Sequence, residues 1–418
     1  MSIVKKLSEA DFGDFINVLA NAYPGARLVS QEDKEKYRQR LFQRHQRDPL
    51  FDCYGLYRDG SLVGGMAIHD FTMNLLSTKA KAGGLDSVAV DLVHKKEKVA
   101  RDMTAYFLKH CKARGATLAM LYPFRPDFYK RMGFGYGTKM SQYRVRPASL
   151  PRGSSKEGVQ ILGKEDRPAL LACYNRCVER THGMIERSAL ELDTLLDRPG
   201  VRAVGYKKNG KILGYLFFVF RRGREDNWLI NDIHVREIIY ETREALARLL
   251  TFLHTQLDQI DHIVFNLQDD AFHHLLLDPR NGSDNLIPLV YHESNTQGVG
   301  LLYRVVDTPG IFQVLCEHDF GGQDCRLELS IRDDFFPEND GLTIVRFEDG
   351  RPHLMQEGSA FDVQVRLDIS DFSSMLLGVV SFKHLYRYGL ADISDARYIE
   401  VVNALFRTEE KPVCMTEF

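Results

Sequence analysis

Three lysines crowd the start of one predicted helix. Lys95, Lys96 and Lys98 follow a β-type run containing Leu85, Val88 and Val90, and they precede Val99, Met103, Phe107 and Cys111, which recur at helical spacing. The first backbone N–H groups of a helix lack intrahelical partners, and the macrodipole adds about half a positive charge there. Anions bind at such an end, so a phosphate-bearing ligand is one reading of the cluster. A solvated basic helix face is the other. Further on, FYKRMGFGYG sets Tyr129 on a glycine-rich turn, either as a packing residue or as a proton donor, since a phenol of pKa near 10 stays protonated at neutral pH.

The elements that position these residues read as strand, basic turn, helix, buried strand and Tyr-bearing turn. Gly115 is the expected C-cap of the helix, and the apolar run Ala116 to Leu121 fits a strand covered on both faces. Upstream, Ser8 caps a first helix with the stripe Phe12, Phe15, Ile16 and Leu19, which ends at Pro24-Gly25. Gln31 to Asp48 continues as a charged helix with a thin stripe at Tyr37, Leu41 and His45. Phe51 to Tyr57 and Leu62 to Asn74 flank Asp59-Gly60, a hairpin signal. Thr138 to Arg146 is expected to close this domain as its last strand.

This order, with Val88-Ala89-Val90 before a basic helix start and FYKRMGFGYG after it, resembles the acetyl-CoA site of the GNAT superfamily, and more narrowly the Eis (enhanced intracellular survival) family of N-acetyltransferases. That family has a V-x-V strand, an H-R-R-R-G-x-hydrophobic turn and a Y-x-R-F/M-G-Y/F-G segment. Here the turn reads His94-Lys95-Lys96-Glu97-Lys98-Val99-Ala100, with Lys98 where the pattern has its first glycine. Helix geometry is expected to admit that lysine. The resemblance implies that backbone groups of Val88, Ala89 and Val90 meet the thioester and pantetheine arm. Lys95, Lys96, Lys98, Val99 and Ala100 then hold the pyrophosphate of acetyl-CoA, and Tyr129 is the acid that protonates the departing thiolate. In that family the base is the C-terminal carboxylate, here that of Phe418, beside which Glu417 adds negative charge for a cationic amine.

Pro147 to Gly158 combines Pro, Gly and Ser as a linker. Beyond it, a helix from Glu165 to His182, a hairpin about Asn209-Gly210, a strand from Trp228 to Arg236 and a helix from Thr242 to Leu257 repeat the first domain's order without its basic turn. Strands then dominate, at Gly300 to Val306, Cys325 to Ile331, Leu342 to Phe347 and Asp362 to Leu367, before helices at Ile369 to Leu377 and Phe382 to Tyr388. VRLDIS and LLG in this part are similar to the sterol-carrier-protein-like domain of the Eis family. The expectation is a mixed α/β and α+β chain. Its catalytic GNAT domain spans 1–150, a second GNAT-like domain without a cofactor site spans 151–288, and a sterol-carrier-protein-like domain spans 289–418.

Composition narrows the partners. Hydrophobic residues make up 44% and charged residues 27%, as in a water-soluble globular chain. No run approaches a membrane span, and the N-terminus lacks an apolar signal core, so a cytoplasmic location is expected. Seven cysteines without C-x-x-C argue against a disulfide framework and a zinc site. The net charge of −2 hides a basic start: residues 1–150 carry 25 Lys+Arg and 15 Asp+Glu. That excess suits a polyanionic cofactor better than nucleic acid, for which no motif is present. His69, His94 and the pair His273–His274 lack metal-ligand spacing and read as surface or core residues. The function that the family resemblance implies is acetyl transfer from acetyl-CoA to an amine of a small polycationic molecule, aminoglycoside-like, or to a lysine, and the resemblance also implies a homohexamer. The alternative is a weakly catalytic protein that binds acyl-CoA or lipid.

Overall fold

Phe12, Phe15, Ile16 and Leu19 are all buried on helix α1 (Phe12–Ala22). Helix α2 (Gln31–Arg47) starts at Ser30, whose hydroxyl accepts from the Asp33 amide. Strand β1 (Ser2–Lys6) pairs with β2 (Phe51–Arg58), which pairs with β3 (Ser61–Leu75), and β3 pairs with β4 (Thr78–Val90), all antiparallel. Asp59 and Gly60 close the β2–β3 hairpin at φ +48° and +83°, the left-handed pair that a tight hairpin turn requires. Helix α3 (Val99–Ala113) buries Val99, Met103, Phe107 and Cys111 and leads to β5 (Leu118–Leu121), which runs parallel to β4. The short helix α4 (Pro126–Lys130) and strand β6 (Gly135–Tyr136) follow.

The computed structural model describes residues 2–418, and its contacts divide them into two compact units. The second unit comprises Thr138–Val299 and Val413–Met415. Its sheet contains β7 (Met140–Val145), β8 (Val159–Ile161), β9 (Arg202–Lys208), β10 (Lys211–Arg222), β11 (Asn231–Tyr240) and β12 (Ile260–Leu267), with helices α5 (Arg167–Val178), α6 (Ala189–Leu196) and α7 (Arg243–His254). A small hairpin, β13 (Leu286–Ile287) with β14 (Tyr291–His292), precedes β15 (Thr296–Gly298), which pairs with β7. Two expectations are corrected here. Strand β7 does not close the first sheet; it pairs with β12 and β15 in the second. Strand β11 runs to Tyr240, beyond the end expected at Arg236, and within it the Glu237 carboxylate is buried against the Arg187 guanidinium and the Tyr215 hydroxyl.

The first unit resumes at Gly300. Strand β16 (Leu302–Val305), expected in the last domain's sheet, instead lies between β5 and β6, so the seven-stranded first sheet runs β1-β2-β3-β4-β5-β16-β6. Helix α8 (Thr308–Val314) leads to a five-stranded sheet of β17 (Cys325–Arg332), β18 (Gly341–Glu348), β19 (Arg351–Leu354), β20 (Val363–Asp368) and β21 (Ala391–Ile393), with helices α9 (Ile369–Leu376), α10 (Phe382–Arg387) and α11 (Ile399–Leu405). Among the described residues no helix is long and apolar enough to cross a membrane.

Candidate acyl-transfer site

Strand β4 is irregular where it matters. Its parallel pairing with β5 stops at Leu85 opposite Leu121, so Asp86 to Val90 extend beyond the last pair on that side. On the other side Asp86 pairs with Ala67 and Ala89 with Gly65, leaving Ser87 and Val88 opposite Met66 alone. This is a β-bulge, and Ser87 sits in it at φ +53°, a conformation that non-glycine residues hold at a cost of about 1–3 kcal/mol. The Tyr23 hydroxyl donates to the Val88 carbonyl at 2.6 Å, tying the end of α1 to the bulge.

Where β4 and β5 part there is a cavity of about 590 Å³. Val88, Tyr129 and Phe418 line it together, although they lie far apart in the chain. Tyr129 is buried, with the rings of Phe124, Phe128 and Phe134 set edge-on at 5.2–5.9 Å. Burial, with Tyr23 beside it, holds its phenol well above the ordinary tyrosine value. The Phe418 ring packs against Phe71 at 5.0 Å, Tyr122 at 5.2 Å and His69 at 5.6 Å. Gly84 leaves room for it: a Cβ there would lie 2.4 Å from Phe71 and 3.1 Å from Phe418. Just before it, the Tyr122 hydroxyl donates to the Thr416 carbonyl, while Glu417 is exposed.

The other expected cofactor residues stand apart from the cavity. Ala89 is buried in the sheet, and Val90 is half-buried opposite Gly64. Lys95, Lys96 and Lys98 are exposed at the start of α3, where Val99 is buried and Ala100 half-buried. One expectation about this turn is corrected. Lys98 does not have helical geometry: it caps α3 at φ +66°, and Lys96 sits at φ +67°. Both are positions that glycine adopts freely and lysine does not. The arrangement holds because Arg58 pairs with the Glu97 carboxylate at 2.7 Å and donates to its carbonyl at 2.8 Å, pinning the turn. No side chain caps α3, whereas Thr242 caps α7 by accepting from the Ala245 amide. The amides of the first turn of α3 are therefore available to an anion.

Sequence reasoning missed Asp86, and it read His69 only as a surface or core residue. His69 is buried, its ring stacked on Phe71 at 5.0 Å, and its Nε2 lies 3.6 Å from the Asp86 carboxylate. Burial raises the Asp86 pKa, but His69 and the Ser87 hydroxyl, 3.1 Å away, outweigh it and hold the group below the usual carboxylate range. The available signal was one acid inside an otherwise uncharged run, GGLDSVAV, in the second half of β4. Tyr23 and Tyr37, also on the cavity wall, were legible only as helix residues. Burial and the Asp86 charge push the Tyr23 hydroxyl up to about 12.

Known proteins share these parts. The acetyltransferase (GNAT) domain family matches residues 3–137, a second acetyltransferase (GNAT) domain family matches 177–305, and the sterol carrier protein domain family matches 313–415. An uncharacterized N-acetyltransferase of Streptomyces coelicolor is 30% identical in an alignment of 183 residues that covers 39% of this chain and 44% of that protein. The matched stretch thus spans less than half of that relative. Among solved structures, a GCN5-related N-acetyltransferase from Anabaena variabilis superposes with a TM-score of 0.82 at 18% identity, covering 100% of both chains. Eis1 from Mycobacterium abscessus does so with a TM-score of 0.76 at 20% identity, again over 100% of both chains. Acetyl-CoA is the co-substrate of GNAT acetyltransferases, and this chain matches two GNAT domains followed by a sterol carrier protein domain, in a fold similar to that of Eis1.

Proposed function

We propose that the chain transfers the acetyl group of acetyl-CoA to an amine in the cavity beside the β4 bulge. The observation that carries this reading is that Tyr129 and Phe418 line one cavity with Val88, at the place where β4 and β5 part. In the proposed reaction the amine nitrogen attacks the thioester carbonyl, the C–N bond forms and the C–S bond breaks. The α-carboxylate of Phe418 takes the proton that the amine loses, and Tyr129 gives its phenolic proton to the departing thiolate. Tyr129 suits the second task because burial keeps it protonated across the neutral range. The cofactor's pyrophosphate rests on Lys95, Lys96 and Lys98 and on the uncapped amides of α3 at Val99 and Ala100, while the backbone of Val88 to Val90 meets the pantetheine arm.

The alternative of a lipid carrier has less support. The cavity in the sterol carrier domain lined by Leu342, Ile344 and Leu354 measures about 200 Å³ and also presents Glu328 and Glu357. That is below the roughly 300–1,000 Å³ of small-molecule sites. The deciding experiment measures free CoA release from acetyl-CoA with a panel of amines, together with calorimetric titration of acetyl-CoA. Amine-dependent release with acetyl-CoA binding supports the reading, and an absence of acetyl-CoA binding refutes it.

A further inference from the structure

Of the two acceptors implied by family resemblance, the aminoglycoside-like one carries several positive charges, yet the cavity wall has one charged side chain. Of the side chains lining it, only that of Asp86 is charged. Around that carboxylate the wall is aromatic: Tyr23, Tyr37, Tyr122 and Phe124 line the same space as Tyr129 and Phe418. Ring faces attract a cation that has left water, and a carboxylate that keeps its charge completes the site. His69 and Ser87 are the partners of that carboxylate, and among the described residues no lysine or arginine pairs with it. The one further anion proposed here is the α-carboxylate of Phe418, which must stay free to take the reacting amine's proton, so a second ammonium drawn into this space is left without a partner.

Resting on the acetyl-transfer reading, we infer that the acceptor is a primary amine with one positive charge and a compact apolar body, its ammonium held by Asp86 and its body lying among Tyr23, Tyr37, Tyr122 and Phe124. Asp86 acts as a specificity determinant that contacts the substrate, while the Phe418 carboxylate remains the proposed proton acceptor. The Ser87 bulge gives Asp86 its place, because it carries the chain past the end of the β4–β5 ladder. His69 acts through Asp86, as a positioning residue behind it.

The test uses the full chain and three probes: phenethylamine, spermidine and kanamycin. Phenethylamine is expected to be acetylated with a kcat/KM at least tenfold above that of either polycation. Asp86→Asn should raise the KM for phenethylamine at least tenfold with acetyl-CoA affinity unchanged by calorimetry, and Asp86→Glu should recover part of the loss. Direct titration of phenethylamine into the wild-type and Asp86→Asn proteins in the presence of CoA separates this inference from the reading beneath it. Binding that depends on Asp86 without any acetylation overturns acetyl transfer and leaves the amine site standing. Equal or better use of spermidine or kanamycin, or phenethylamine binding that Asp86→Asn does not weaken, overturns the inference. A melting curve of Asp86→Asn within a few degrees of wild type excludes misfolding as the cause of a loss.

Discussion

Arg304 on β16 and Asp333 after β17 form an ion pair with both side chains wholly buried, and the same guanidinium donates to the Met132 carbonyl just after Tyr129's helix. The sterol carrier domain thereby holds the Tyr129 turn. Gly133 at φ +80° makes room for this, since a Cβ there would fall on the Arg304 guanidinium.

Breaking that pair should loosen the site from outside it. Asp333→Ala leaves an uncompensated buried cation and is expected to cost about 3–5 kcal/mol of stability, read as a lowered midpoint in urea unfolding. A loss below about 1 kcal/mol would show that the guanidinium finds another acceptor.

Tyr129→Phe removes only the proposed acid. Turnover should fall by about 10²–10⁴-fold with acetyl-CoA affinity intact. Because burial raises the Tyr129 pKa, the group stays protonated as pH rises through the ordinary tyrosine value. The wild-type kcat at saturating amine should therefore show no alkaline decline below about pH 10. A falling limb near pH 8 would assign the acid to another group.

Lys98→Gly should stabilise the chain by about 1 kcal/mol, because the left-handed cap at φ +66° carries strain in lysine and none in glycine. Thermal melting checks this. Lys95→Ala with Lys96→Ala should weaken acetyl-CoA binding by a few kcal/mol, taking about 1.5–3 kcal/mol for each charged hydrogen bond. Calorimetry of Lys98→Gly checks the phosphate contact proposed for that lysine: weaker acetyl-CoA binding supports it, and unchanged binding removes Lys98 from the pyrophosphate site.

Gly84→Val should unseat Phe418, because even a single Cβ at that position approaches Phe71 to 2.4 Å. The expected result is lost turnover with acetyl-CoA binding retained. Deleting Phe418 moves the terminal carboxylate back by one residue, about 3.3–3.6 Å, and should have the same effect. Full activity in the truncated chain would reject the Phe418 carboxylate as the base.

Local features were legible because they depend on near neighbours in the chain. The stripe of α1, the Asp59-Gly60 and Asn209-Gly210 turns and the lysine cluster before α3 follow from helical spacing, turn chemistry and composition. Tyr129 and Phe418 came from a motif and an ending shared with a family, not from any pattern that predicts contact between them.

Amino-acid order alone determined where α1, α2, α3 and α7 and the Asp59-Gly60 and Asn209-Gly210 hairpins lie, that the first domain is basic, and that its order of elements recurs in the second; α4, α6, α8 and α11 left no signal that was read. Tertiary structure decided which sheet each strand joined: β7 and β16 both read as ordinary short strands, and pairing across more than a hundred residues leaves no local mark. It also decided that Asp86 faces a cavity. Whether a lone carboxylate in a strand is a solvated surface group or the only charged side chain on an aromatic wall depends on a bulge at Ser87, on where the β4–β5 ladder stops, and on rings delivered from Tyr23 to Phe418. Those are relations between distant segments, and only packing brings them together.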